Sequence, residues 1–395
     1  MNVRISVAAS LVLAVFVLAD LAWPADPAPS QEKRASVVSA STRKRPRKRA
    51  PFEFSSWYTA QTFADSVAGD VTEGEDPRVR QAAVEALGKF NGSVVVVDTS
   101  NGRVLTMVNQ KLALSSGFMP CSTIKPMVGL AALNEGIVQP GDKVWFDRTW
   151  TMTMVEGLAI SNNVYFGYLG EQLGFERVRQ YANLFGFGEK AGWNIPGEQL
   201  GDFPASEDEM GVGRMTSFGD GIQMTPLQLA AFTSAIANGG SLYYLQHPRS
   251  EAESSDFHPR VKRFLPIADW LPEVEAGMHE AVKRGTGRTA RVAGQTIWGK
   301  TGTCSQYHRR NRERIRLGWF TSFNDVDGQR LAITVLLRGG GYVVGPRAAE
   351  MAGEIYRRLA DEQYFTSRQT SLAAQSSPPA PLASEPNTEE CCTTQ

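Results

Sequence analysis

Ser122 and Lys125 stand three residues apart in Cys121-Ser122-Thr123-Ile124-Lys125-Pro126, at the head of the apolar run Met127 to Leu133. Residues three apart on a helix share a face, so this spacing sets an amine beside a hydroxyl. Burial among apolar groups penalises an ammonium and lowers its pKa, and the neutral amine can then take a serine proton. The same serine can equally be a plain helix N-cap. Two further motifs bear on the choice. Ser161-Asn162-Asn163 precedes the helix-spaced apolar residues Val164 to Leu173, and Lys300-Thr301-Gly302-Thr303 ends a strand-like stretch. Each alone is a common cap or turn. In this order they offer a hydroxyl with an amine, a second hydroxyl with an amide, and a second amine, a set that favours nucleophile and base over cap.

The elements that must hold these groups follow from periodicity. Pro77 to Phe90 places Val79, Ala82, Val84 and Leu87 on one helical stripe. Ser93 to Asp98 is β-branched, Gly102 to Asn109 is a second strand, and Asn101-Gly102 between them is a strong hairpin signal. From Ser122 to about Ala290 the pattern is mostly helical, with helices expected over Val164–Leu173, Phe175–Phe185 and Thr225–Ala237. Strands return at Ala293–Cys304, Leu317–Asn324 and Leu331–Arg338, and a last helix covers Ala348–Tyr364. This order predicts an α+β fold: a five-stranded antiparallel sheet flanked by terminal helices, with an inserted all-α lobe. The three motifs fall where sheet and lobe should meet.

The chain of 395 residues carries no net charge, which gives no global reason to expect a nucleic-acid partner. Four cysteines are too few for a disulfide scaffold, and His247, His258, His279 and His308 have no metal-ligand spacing. Neither metal nor cofactor is expected. Residues 1–25 carry Arg4 and an apolar stretch from Ile5 to about Ala22. They are either a cleaved signal peptide, with Val17-Leu18-Ala19 as its exit, or an uncleaved signal anchor, and both export the remainder of the chain. Residues 26–75 are expected to be a basic, Pro/Ser-rich linker containing the Arg43–Arg49 block. That block lies about twenty residues past the apolar stretch, at the edge of where basic flanks set orientation. The folded domain is expected over 76–364, and a disordered tail over 365–395.

Over residues 76–362 the chain resembles the transpeptidase domain of penicillin-binding proteins, the acyl-serine D-Ala-D-Ala transferases, and is most similar to the class B type. The three motifs carry the resemblance, with Ser161 to Phe166, Phe185 to Gly188, Ile195 to Glu198, Met224 to Ala230 and Gly285-Thr286-Gly287. It implies the serine β-lactamase/D,D-transpeptidase fold. It makes Ser122 the nucleophile, Lys125 its base, Ser161 and Asn163 the relay and amide holders, and Lys300 the fixed charge. Thr301 and Thr303 would bind the substrate carboxylate, and Gly302 would leave room for substrate along the strand. The backbone N–H groups of Ser122 and Thr303 would form the oxyanion hole. The implied partners are peptidoglycan stem peptides, β-lactams, cell-wall synthesis proteins and, where residues 1–25 stay attached, the membrane. The implied location is the periplasm or the outer face of the cytoplasmic membrane.

Cys121 and Cys304 resemble the disulfide pair of some class A carbapenem-hydrolysing β-lactamases, which implies a Cys121–Cys304 bond; two buried thiols are the alternative. Cys391 and Cys392 carry no assignment. A serine β-lactamase is the competing enzyme, and it needs a glutamate that activates water. The segment from Glu198 to Asp202 is the nearest candidate and fits the Pro-Gly-Glu segment better. A non-enzymatic β-lactam sensor or scaffold is the third reading; Asn163 and the intact nucleophile and base argue against it. Tyr307 to Arg316 is either a solvated basic loop or a rim that attracts anionic stem peptides or glycan.

Overall fold

A computed structural model describes residues 58–368 apart from 208 and 309–312. The apolar N-terminal stretch, the Arg43–Arg49 block, Arg309, Arg310, Arg312, Cys391 and Cys392 lie outside the described residues. Among the described residues no helix is long and apolar enough to cross a membrane.

Asp76 opens helix α1 (Pro77–Leu87) by accepting from the N–H groups of Arg78 and Val79. Pro77 takes the first position, where its missing N–H costs nothing, and Gly88 ends the helix at φ 56. Strands β1 (Gly92–Asp98) and β2 (Arg103–Val108) form the first hairpin. The Cys121–Ile124 3₁₀ turn leads into α2 (Lys125–Asn134). The rest of the lobe contains α3 (Met154–Ala159), α4 (Asn163–Leu173), α5 (Phe175–Leu184), α6 (Val212–Phe218), α7 (Pro226–Ala237) and α8 (Leu271–Lys283). Then come β3 (Thr296–His308), β4 (Glu313–Asp325), β5 (Leu331–Gly339) and α9 (Gly345–Asp361).

The sheet runs β2-β1-β5-β4-β3, with every neighbouring pair antiparallel and β3 at an edge. Its two faces bury two cores. Val94 and Val96 pack with α1 and α9, whereas Val95 and Val97 pack with the lobe. Along β5, Ile333 and Val335 join the first core and Ala332 and Leu336 the second. A sheet covered on both sides needs apolar residues at successive positions, which is why β1 has no polar alternation. Helix α7 is the spine of the lobe. Thr225 and Gln228 close a capping box at its start, and all twelve of its residues are buried.

The architecture is the expected one, with three differences. The β3–β4 hairpin runs longer than Cys304 and Leu317: Ser305, Gln306 and Tyr307 pair with Arg316, Ile315 and Arg314. Most of the Tyr307–Arg316 segment is therefore strand, not loop. The folded region also starts before 76. Phe63 bridges Phe90, Ser66 donates to Phe90 O, and Glu75 is buried. At the other end Phe365, expected in the tail, is buried, and Tyr364 donates to the Asp76 carboxylate at 3.0 Å.

Candidate active site

Ser122 is not a helix cap. Neither the Cys121–Ile124 turn nor α2 has a side-chain cap bond at its start. The turn is instead fastened from several sides. Trp319 Nε1 donates to Met119 O at 2.9 Å, and Met119 N donates to Gln306 Oε1 at 3.1 Å. Gly219, at the end of α6, lies so close that a Cβ there would come within 2.7 Å of Pro120 Cγ. Cys121 has φ 52, a left-handed conformation uncommon outside glycine, and strain of this kind clusters at functional sites. Its sulfur is bonded to that of Cys304 on β3, with the Cα atoms 5.6 Å apart.

Gly302 lies two residues before Cys304 and faces the same turn. A Cβ on Gly302 would sit 3.0 Å from Pro120 O and 3.2 Å from Cys121 Cβ and Thr123 Cγ2. The missing side chain here makes room for the protein itself. The space is filled by the turn that carries Ser122.

Lys125 is fully buried at the head of α2. Its Nζ donates to Ser161 O and to Asn163 Oδ1, both at 2.7 Å, and lies 3.2 Å from Ser161 Oγ. Lys300 is also fully buried; its Nζ donates to Ser161 Oγ at 2.8 Å and to Thr301 O at 3.0 Å. One hydroxyl thus joins two lysines. Burial, and then the Lys300 charge, lower the Lys125 pKa to about 6, and burial lowers that of Lys300 to about 7. A neutral amine has two N–H donors and one lone pair. With both donors on Ser161 O and Asn163 Oδ1, the lone pair is left to receive a proton.

The middle residue of Ser-x-Asn explains the spacing. Asn162 is the N-cap of α4, accepting from Tyr165 N at 2.9 Å, so its two neighbours are free to face Lys125. Ser161 itself has φ 59. The direct Lys125–Ser122 hydrogen bond expected from the spacing is not formed among the described residues. The amine is drawn instead toward its two acceptors around Ser161.

Both threonines of the third motif have protein partners. Thr301 is buried and donates its hydroxyl hydrogen to Thr286 Oγ1 at 2.6 Å, and Thr303 Oγ1 accepts from Gly345 N at 2.7 Å. Thr286 stands out in the sequence only as part of Gly-Thr-Gly, and Trp319 and Gln306 fall in no motif. Glu198 is buried, and its carboxylate accepts from the N–H groups of Ala191 and Gly192. Burial raises its pKa, but those two bonds occupy it as a loop staple.

A family model described as the penicillin binding protein transpeptidase domain matches residues 92–359. The chain is 28% identical to peptidoglycan D,D-transpeptidase MrdA of Acinetobacter baumannii, over 71% of this chain and 52% of that protein. It is 30% identical to stage V sporulation protein D of Bacillus subtilis, over 64% of this chain and 43% of that one. The chain thus spans about half the length of these curated relatives. Among solved structures, the transpeptidase domain of Burkholderia pseudomallei penicillin-binding protein 3 shares the fold. The TM-score is 0.60 at 22% identity, covering 78% of this chain and 97% of that one. A Pseudomonas aeruginosa penicillin-binding protein solved in complex with WCK 5153 shares it too, with a TM-score of 0.59 at 24% identity over 73% and 77%.

Proposed function

The chain belongs to the penicillin-binding protein transpeptidase family, and from that premise we propose a cell-envelope D-Ala-D-Ala transpeptidase that works through an acyl-serine and is acylated by β-lactams. The observation that carries the reading is the Lys125–Ser161–Lys300 chain, in which a buried amine keeps a lone pair beside the serine turn.

Ser122 Oγ bonds to the carbonyl carbon of the penultimate D-alanine, and its proton passes to Lys125 Nζ, directly or by way of Ser161 Oγ. The hydrogen bond from Ser122 to the base forms as substrate closes the site. The developing oxyanion lies between the N–H groups of Ser122 and Thr303; losing one such donor costs roughly 3 kcal/mol in comparable sites. The bond to the terminal D-alanine then breaks, and its nitrogen takes the proton back through Ser161. Lys300 keeps positive potential on that hydroxyl. Asn163 holds both Lys125 and the substrate amide. The amine of a second stem attacks the acyl carbon and gives a proton to Lys125, which passes it to Ser122 Oγ as the acyl–oxygen bond breaks. Water in its place gives carboxypeptidase activity.

The rest of the reading is architectural. Residues 1–25 are a signal peptide or anchor, and the basic, Pro/Ser-rich stretch after them is a linker. Together they put the domain outside the cytoplasmic membrane, among stem peptides and cell-wall synthesis proteins.

A fluorescent penicillin incubated with the protein should label it stably, and Ser122→Ala should remove the label. Rapid release of label would replace this reading with a β-lactamase. No labelling of folded wild-type protein would refute both.

A further inference from the structure

Asn163 meets two surroundings at once. Its Oδ1 accepts from Lys125 Nζ at 2.7 Å, and the same residue lines a cleft of about 520 Å³. The cleft lies between α4 and α6, lined by Val164, Tyr168 and Glu171 of α4 and by Glu207 and Met210 ahead of α6. Beside it the two helices meet backbone to backbone. A Cβ on Gly167 would lie 3.4 Å from Gly213 O, and one on Gly170 would lie 2.0 Å from Thr216 Oγ1. Helices packed this closely give the cleft rigid walls.

The lining is of two kinds. Val164 and Met210 are each 51% exposed, although large and apolar. Glu171 Oε1 lies over Gly213, where a Cβ would come within 2.9 Å of it, and Glu207 Oε1 accepts from Val212 N at 2.9 Å. Two carboxylates thus rest on neighbouring residues of one short stretch. Arg214, the cation in the lining, is paired with Asp220 at 2.6 Å and leans on the Phe218 ring. Neither glutamate has an ion-pair partner among the described residues. Apolar surface that ends at unpaired negative charge suits an aliphatic chain carrying an ammonium.

The acyl-enzyme requires such a group. An alkyl amine has a pKa of about 10.4, so the attacking amine travels as an ammonium at neutral pH. It must also arrive where Lys125 can take a proton, and the cleft reaches the residue that holds Lys125. We infer that the α4–α6 cleft is the acceptor channel, in which Glu171 and Glu207 draw in the side-chain ammonium of the second stem and Asn163 marks its inner end. This rests on the acyl-serine reading above. The ammonium gives one proton to water, the amine then bonds to the acyl carbon, and its next proton goes to Lys125 as Ser122 leaves.

The test offers one acyl-enzyme two amines. An N-acyl-D-alanyl thioester loads Ser122 and releases its thiol. Nα-acetyl-lysine amide, a cation on an aliphatic chain, then competes with hydroxylamine, which is small and uncharged at neutral pH. Mass spectrometry reads the ratio of amide to hydroxamate. Glu171→Gln and Glu207→Gln keep the size of the side chain and an oxygen for Val212 N. Each should lower the ratio about three- to fivefold, and the double variant about tenfold. Salt at about 0.5 M should lower the ratio in wild-type protein and leave it nearly unchanged in the double variant. A ratio that neither substitution nor salt moves would overturn the assignment, and a parallel fall in both products would put the cleft on the donor side instead. Wild-type protein that makes hydroxamate and no amide would overturn the channel alone. Wild-type protein that the thioester fails to load would overturn the acyl-serine reading, and the channel with it.

Discussion

A lysine with a pKa near 6 is mostly an amine at neutral pH, and Lys125 reaches that state because burial strips its water and Lys300 adds like charge. A protonated Lys125 has no lone pair, so acylation of Ser122 should fall about tenfold per pH unit below about 6. A plateau that continues unchanged to pH 5 would remove Lys125 as the base. Lys125→Met should slow acylation by about 10² to 10⁴ on the plateau above about 6, and the gap should narrow as pH falls below it. Stability should shift in the same direction. Both lysines bind their proton less readily when folded, so the unfolded chain holds more protons from about 6 or 7 up to 10.5. Unfolding free energy should rise with pH across that window, which urea melts at pH 6 and pH 9 can measure. The residues in this relay were legible because each falls in a short motif with fixed spacing. Thr286 and Trp319 were not, because what they do is set by contacts to residues remote in sequence, Thr301 and Met119.

The 3₁₀ turn of Ser122 is positioned by β3 as much as by its own helix. The Cys121–Cys304 bond joins them across 183 residues, and Gly302 gives the turn its seat. Cross-linking a loop of that length restricts the unfolded chain, a constraint worth about 2–4 kcal/mol in typical proteins. Cys304→Ser should lower unfolding free energy by that amount. It should also slow penicillin acylation, because nothing covalent then holds Cys121 in its left-handed conformation. Reductant should do the same to wild-type protein. Melting that ignores both the substitution and the reductant would mean that the seat on Gly302 suffices. The cysteine pair was visible in the sequence through resemblance alone. The length of the hairpin that carries it was obscured by charge. Arg314 and Arg316 suggested a loop, yet they alternate with Ile315 and Leu317, which are buried. Arginines fit a strand when only their own side meets water, and Arg316 there reaches Tyr58 and Ser305.

That contact belongs to a strap that runs over the whole molecule, from Tyr58 to Glu75. It has no hydrophobic period and lies next to a low-complexity stretch, so composition placed it in the linker. Its function in the fold is polar and long-range. Thr62 seats against Gly339 and its oxygen accepts from Gly340 N, while Asp70 pairs with Arg80 and accepts from Asn109 N and Gln110 N. Glu75 gathers Met107 N, Thr106 Oγ1, Arg80 and His247 Nε2 at 2.8, 2.7, 3.3 and 2.8 Å. These partners come from β2, α1 and the segment after α7, so one carboxylate ties the first helix and the first hairpin to the lobe. Removing one partner from a buried charged group leaves the others unsatisfied, at a cost of about 3–5 kcal/mol. A chain starting at Tyr58 should melt where the longer protein does and be acylated at the same rate. A chain starting at Asp76 should melt well below it, and Glu75→Ala in the full chain should reproduce most of that loss. Were the two shortened chains to melt together, the strap would be a passenger on the sheet, and the domain would begin at Asp76 after all.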